Sequence, residues 1–154
     1  LKMAFPNAKL SFLVTQPYVD LVSQIPEIDE VIVDTLPYIM SVSHIPKLIR
    51  LASVLRQKKV DCFVGSWAHP KYAWLSFLAG ISYRVGHGSS FWNRCLYNLV
   101  AKDNYWDFFK HHMQWNVVLL ERMGVSGDGI HPYLAQLPLV SLLSCLYWFI
   151  NLAR

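Results

Sequence analysis

Ser66-Trp67-Ala68-His69-Pro70-Lys71 sets a hydroxyl, an indole, an imidazole and an ammonium in one short stretch. Sugar sites favour this mixture, because an aromatic face stacks on C–H groups while polar tips reach hydroxyls and acids. The other reading of the same text is a helix start with Trp67 packed and Lys71 solvated. Gly86-His87-Gly88-Ser89-Ser90 resembles half of a dinucleotide fingerprint, but Ser90-Phe91-Trp92 supplies no third glycine on an opening helix. A plain turn with positive φ at Gly86 and Gly88 is the simpler expectation.

His111-His112 are neighbours, and adjacent helical residues point about 100° apart, so the pair cannot share one metal in a regular helix. No HExxH completes a zinc set, and no metal is expected. His112 and Asn116 stand at i and i+4, a spacing that allows a hydrogen bond holding the start of their helix. The aromatics from Phe91 to Trp115 are dense enough to suggest stacking on a single-stranded nucleic acid. Asp103 and Asp107 interrupt them, and packing of the rings in the core or under a long loop is the better reading. No nucleophile with a base and an orienter is visible.

These residues need elements to position them. Lys9 to Val14 is a β-prone apolar run after the turn formers Pro6-Asn7, and Glu30 to Asp34 is a second strand of the same buried kind. Pro17 opens a helix that Tyr18, Leu21, Val22 and Ile25 carry to Pro26. Pro46 to Lys59 reads as an amphipathic helix ending in a basic turn that complements its dipole. Asp61 to Gly65 is a third strand, His69 to Ala79 a helix closed by Gly80, and Ser82 to Val85 a fourth strand ended by Gly86. A last helix runs from about His111 to Met123. Strands alternating with helices argue for βαβ units and a parallel sheet, with ligands bound outside the carboxyl ends of the strands.

The whole composition agrees with a folded domain: 154 residues, 54% hydrophobic and 16% charged, without low-complexity or heptad patterns. The net charge of +4 is spread along the chain rather than run as a block, so nucleic acid is not implied. Cys62, Cys95 and Cys145 show no zinc or CxxC spacing and read as buried thiols of a reducing compartment. Leu1 to Pro6 has no signal-peptide pattern and reads as the end of a helix whose beginning lies upstream.

Three passages resemble glycosyltransferase family 9, the heptosyltransferases of the lipopolysaccharide inner core of Gram-negative bacteria. Ala4 to Leu10, continued by Phe12-Leu13-Val14, is similar to that family's helix-to-second-strand segment, and Ile25-Pro26-Glu27-Ile28-Asp29-Glu30-Val31-Ile32 to its "NPYIDEVI" stretch. Asp61 to Gly86 resembles a strand, a small-residue helix, "LAG" and "RIG", here Leu78-Ala79-Gly80 and Arg84-Val85-Gly86. His112, Asn116, Leu119-Leu120 and Gly124 resemble the later "H…N…LL…LG" helix.

The resemblance spans residues 1–132. It implies the Rossmann-like, acceptor-binding half of a two-domain GT-B enzyme that moves heptose from ADP-heptose to a lipid-linked sugar acid with inversion and without metal. It implies no cofactor for this half: the ADP-sugar donor belongs to the C-terminal domain, and the family's proposed base lies in a first strand that would precede Leu1. The chemistry of the loop offers His69, Trp67 and Ser66 as acceptor-binding candidates and the resemblance adds Lys71, with Arg84, Gly86, His112 and Asn116 as structural or cleft-lining ones. Lys71 falls where the family shows Arg or Lys, whereas Gly65 stands where the family often has Asp. It further implies a cytoplasmic protein, peripheral at the inner membrane face.

Residues 133–154 fall outside the resemblance. From Pro132 to Ala153 there is no formal charge, and a helix from Leu139 onward would be apolar nearly all round. Too short for a comfortable span, it is expected to be buried against the sheet or to lie at a membrane surface. A truncated gene copy would account for both ends, and the alternative function is a non-catalytic membrane-associated or interaction module derived from such a domain.

Overall fold

The computed structural model describes residues 2, 4–101, 112–125 and 147–151. Six strands form one sheet: β1 (Lys9–Thr15), β2 (Glu30–Asp34), β3 (Cys62–Gly65), β4 (Tyr83–His87), β5 (Leu99–Ala101) and β6 (Tyr147–Asn151), in the spatial order β2-β1-β6-β3-β4-β5. The helices are α1 (Val19–Val22), α2 (Ile45–Gln57), α3 (Pro70–Leu78), α4 (Phe91–Leu96) and α5 (His112–Arg122). The chain is thus an α/β protein whose parallel strands are flanked by helices, an arrangement compatible with a Rossmann-like fold.

β1 is buried along its interior and β3 throughout, because helices cover both faces of the sheet. Alternate residues therefore feed two cores. Leu13 and Phe63 face one side with Leu48, Leu51, Leu55 and Leu75 from α2 and α3. Leu10, Phe12, Val14, Cys62 and Val64 face the other with Val22 and Leu119 from α1 and α5. In α2 the buried Leu48, Leu51, Ala52 and Leu55 recur at helical spacing. Its Arg56 serves the neighbouring helix rather than its own end: the guanidinium donates to the carbonyl oxygens of Leu78 and Ala79, where α3 stops before Gly80 at φ +72°.

Four expectations need correction. The sheet is mixed, not wholly parallel, since β6 runs antiparallel to both β1 and β3. Tyr147–Asn151 is a strand in the middle of the sheet, where a helix was expected; the rest of the 133–154 tail lies outside the described residues. α4 and β5 arise in a stretch read as aromatic loop. Of the cysteines, Cys62 is buried, and burial pushes its thiol up to about 12. Cys95 is exposed.

Register decides which side chains meet at the carboxyl edge. Thr15 pairs with Asp34 and Gly65 with Gly86, so the ends of β1 and β2 and of β3 and β4 lie level. Between the two halves sits β6, with Leu13 opposite Tyr147 and Val64 opposite Trp148. Because β6 is antiparallel, it starts at the carboxyl edge, at the switch point where a doubly wound sheet usually opens its ligand crevice.

Candidate functional site at the carboxyl edge of β2 and β3

The loops leaving β2 and β3 carry a layered cluster. At its base, Asp34 ends β2 with its side chain almost wholly buried, accepting from Tyr72 Oη at 2.6 Å and from the Leu36 amide at 2.8 Å. Lys71, in the first turn of α3, places its ammonium 3.6 Å from Asp34 Oδ2 with 5% of the side chain exposed. It also donates to the Pro37 carbonyl at 3.0 Å and the Leu36 carbonyl at 3.4 Å and lies over the Tyr72 ring. Burial lowers the Lys71 pKa from the ordinary lysine value, and the Asp34 charge only partly restores it.

This revises the expectation for Lys71. Its charge is not offered at the surface of a cleft; it neutralises Asp34 and ties the start of the β2–α2 loop to α3. Asp34 itself escaped the sequence reading, although its signal was present: an apolar strand, Val31-Ile32-Val33, ending in one acid at the edge where ligands bind. Tyr72, three residues after His69 on α3, carries no signal in the sequence that sets it apart from the apolar residues of that helix.

Above this base lie three accessible rings. Tyr38 is 61% exposed and sits 5.6 Å from Trp67 and 5.3 Å from His69, centroid to centroid. Trp67 is half-buried, packed against the core along one side, and so presents a partly free indole face. His69 is the N-cap of α3: its Nδ1 accepts the Lys71 backbone N–H at 3.2 Å, which leaves the proton of the neutral ring on Nε2. In this state His69 offers a ligand a hydrogen-bond donor, not a base. Ser66, by contrast, is buried.

Burial, and then the Lys71 charge, hold the His69 pKa below the ordinary value. Between that lowered pKa and about 6.5 the unfolded chain takes up a proton that the folded chain refuses, so stability drops as the pH is lowered through this window and is flat above it. Protonation at Nδ1 also removes the cap. His69→Asn keeps a capping oxygen that does not titrate. Thermal melts between pH 7.5 and 5 should therefore show a loss of about 1 kcal/mol in the parent that is absent from His69→Asn; parallel curves would refute the capping role.

The remaining candidates lie elsewhere. Arg84 stands near the amino end of β4, donating to the carbonyls of Leu96 at 2.8 Å and Ile81 at 2.5 Å, with its guanidinium over Phe77. It fastens α4 to the sheet and is remote from the carboxyl edge. Gly86 is not a positive-φ turn, nor is Gly88; among the described glycines only Gly80 and Gly124 have positive φ. Gly86 is needed because the buried Tyr97 ring lies against it, where any Cβ would collide, and a Cβ at Gly65 would come within 2.5 Å of Tyr97 Oη. Asn116 is half-buried on α5; the side chain of His112 and all of His111 lie outside the described residues.

Asn93 of α4 was also missed by sequence reasoning. Fully buried, it donates to the carbonyls of Ala68 at 2.8 Å and His87 at 3.1 Å and to Ser89 Oγ at 3.1 Å, and so joins the loops after β3 and β4. It fixes the position of Ala68, between Trp67 and His69. No group of His, Cys, Asp or Glu among the described residues could hold a metal ion, and no described helix is long and apolar enough to cross a membrane. Compared with known proteins, the chain matches no family model, no curated protein and no solved structure.

Proposed function

We propose that the chain is the acceptor-binding, Rossmann-like half of a GT-B glycosyltransferase of the heptosyltransferase kind, with a sugar acid held at the carboxyl edge of β2 and β3. The observation that carries this reading is the cluster of Tyr38, Trp67 and His69 around the loop that sequence chemistry already marked as sugar-like. The Tyr38 ring is inclined by 43° to Trp67 and 61° to His69, and rings tilted in this way form a corner into which a pyranose ring can set its C–H face, while His69 Nε2–H donates to a hydroxyl or carboxylate oxygen. Lys71 acts from below as a positioning residue: it holds the Leu36–Pro37 backbone that leads into Tyr38. In the resembled family the base and the ADP-heptose grip belong to segments outside the matched residues, and transfer by a heptosyltransferase would need them.

The test separates the two ligands. Heptose-free lipopolysaccharide core acceptor should change the tryptophan fluorescence of the 154-residue chain, and Trp67→Ala should weaken that binding at least tenfold, the loss of about 1.4 kcal/mol. ADP-heptose should give no measurable heat by calorimetry. Micromolar binding of ADP-heptose would overturn the assignment to the acceptor half, and acceptor binding indifferent to Trp67→Ala would overturn the site.

A further inference from the structure

α3 and α4 pack against each other and share a row of aromatic rings. Phe77 meets Trp74 of the same helix edge to face at 6.3 Å, Trp74 meets Trp92 of α4 at 5.1 Å, and Trp92 meets Phe91 at 5.5 Å, centroid to centroid. The sequence expectation puts the rings from Phe91 onward in the core or under a loop. Instead α4 turns Asn93 and Leu96 inward, which leaves Phe91 71% and Trp92 47% exposed beside Phe77 at 48%. Trp74 is half-buried against the core and so fixes the row from below. Single exposed apolar residues are ordinary, but four rings in mutual contact, three of them open to water, form a patch.

Arginines stand at both ends of the row. The Arg84 guanidinium lies 5.7 Å over the Phe77 ring, and Arg94, exposed, follows Phe91 by one turn of α4. Each spends only part of its five donors on backbone carbonyls: Arg84 on Leu96 and Ile81, Arg94 on Gly88. From Cys62 to Lys102 no residue is Asp or Glu, and among the described residues neither arginine is in an ion pair. Trp, Phe and Arg together, with acids absent, are the composition of the centre of a protein–protein interface.

Geometry and charge separate the occupants such a patch could take. Successive rings are inclined by 88°, 49° and 74°, so none offers its neighbour's stacking plane to a run of bases, and two arginines are few for a phosphate backbone. A sugar needs polar groups set among the rings, and this row has none. A second copy of the patch would set arginines against arginines with no acid to pair them, whereas an acid-bearing partner satisfies both.

We infer that the α3–α4 face docks an acidic protein segment, its apolar side chains seated on Phe91 and Trp92 and its carboxylates paired with Arg84 and Arg94. The inference goes beyond the proposed function and uses none of Tyr38, Trp67 and His69.

A random-peptide display library, panned on the 154-residue chain after depletion on Phe91→Ser, tests it. The Phe91 ring lies outside the core, so this variant should melt like the parent. Clones that bind the parent alone should combine Asp or Glu with Leu, Phe or Trp. A synthetic peptide from such a clone should bind the parent by fluorescence anisotropy and lose about thirtyfold in affinity with Phe91→Ser, the effect of removing an anchoring ring. Arg94→Glu should weaken it more than tenfold, and salt at about 0.5 M should weaken parental binding as well. Ile39→Ser/Val42→Ser, exposed positions of another segment, should bind like the parent. Failure to recover any Phe91-dependent clone, a basic or uncharged consensus, or binding indifferent to Arg94→Glu overturns the inference. A parental dimer that Phe91→Ser dissociates in sedimentation velocity overturns it in favour of a second copy, and binding of oligothymidine lost in Phe91→Ser overturns it in favour of nucleic acid.

Discussion

Phe149→Pro should move the urea midpoint of the whole domain sharply downward, and a chain ending at residue 146 should show no cooperative unfolding transition. Phe149 lies opposite Ser11 of β1 and Phe63 of β3, in the middle of β6. Proline there removes an amide donor from a central strand and sets a ring against the adjoining ladder, a place where proline is almost never found. The stranded acceptor alone costs about 1–3 kcal/mol, a large part of the roughly 5–15 kcal/mol that holds a domain together. Removing β6 entirely does more. Among the described residues, the ladder β2-β1 and the ladder β3-β4-β5 share no hydrogen-bonded strand except β6, so its loss leaves two unpaired edges at the centre of the sheet. Far-UV circular dichroism and urea titration of Phe149→Pro, Phe149→Tyr and the 1–146 chain are the measurement. If all three unfold like the parent, β6 is not what joins the two halves.

The second large effect belongs to Asp34. Asp34→Ala should cost about 3–5 kcal/mol, because it leaves the Lys71 ammonium buried without its counter-charge and also deprives Tyr72 Oη and the Leu36 amide of their acceptor. Lys71→Met should cost less, about 1–3 kcal/mol, since the Asp34 carboxylate retains both of those donors while the methionine fills the space of the lysine stem. The asymmetry is the test, since two substitutions of equal cost would mean that the pair acts as a simple salt bridge. Amide exchange at Leu36 should accelerate in Asp34→Ala and change little in Lys71→Met. The pH profile adds a sign. Because burial lowers the Lys71 pKa in the folded chain, the unfolded chain holds the extra proton between that value and the ordinary lysine value near 10.4. The contribution of Lys71 to stability therefore rises with pH across that alkaline window, and Lys71→Met should lack the rise.

Much of the scaffold could be read before any coordinates. β1 and β3 are legible because strands covered on both faces must be apolar along their length, and turn formers mark their ends. α2 is legible because one face of it repeats Leu48, Leu51, Ala52 and Leu55 against polar neighbours. α4 and β5 were not, since six and three residues are too few for a period to emerge from the aromatic background. Trp67 and His69 are found where the sequence puts them in the chain, between the third strand and the helix that follows it. Gly86 was singled out for the wrong reason, because the ring that requires it, Tyr97, is brought there by α4 and leaves no trace in the local spacing.

What the amino-acid order by itself determined is the alternation of strand and helix, and hence the parallel ladders and the edge at which polar loops gather; period and burial are local properties of a segment. What only the tertiary structure decided is how segments far apart in the chain meet. An uncharged apolar run such as Val140 to Ile150 satisfies a helix and a strand equally, and the choice for Tyr147–Asn151 is made by the unpaired edges of β1 and β3, which accept a strand and not a helix. Lys71 reads as a solvated cation until the β2–α2 loop folds across it and Asp34, far back in the chain, becomes its nearest anion. Burial of a charge is settled by what closes over it, and that depends on the whole fold.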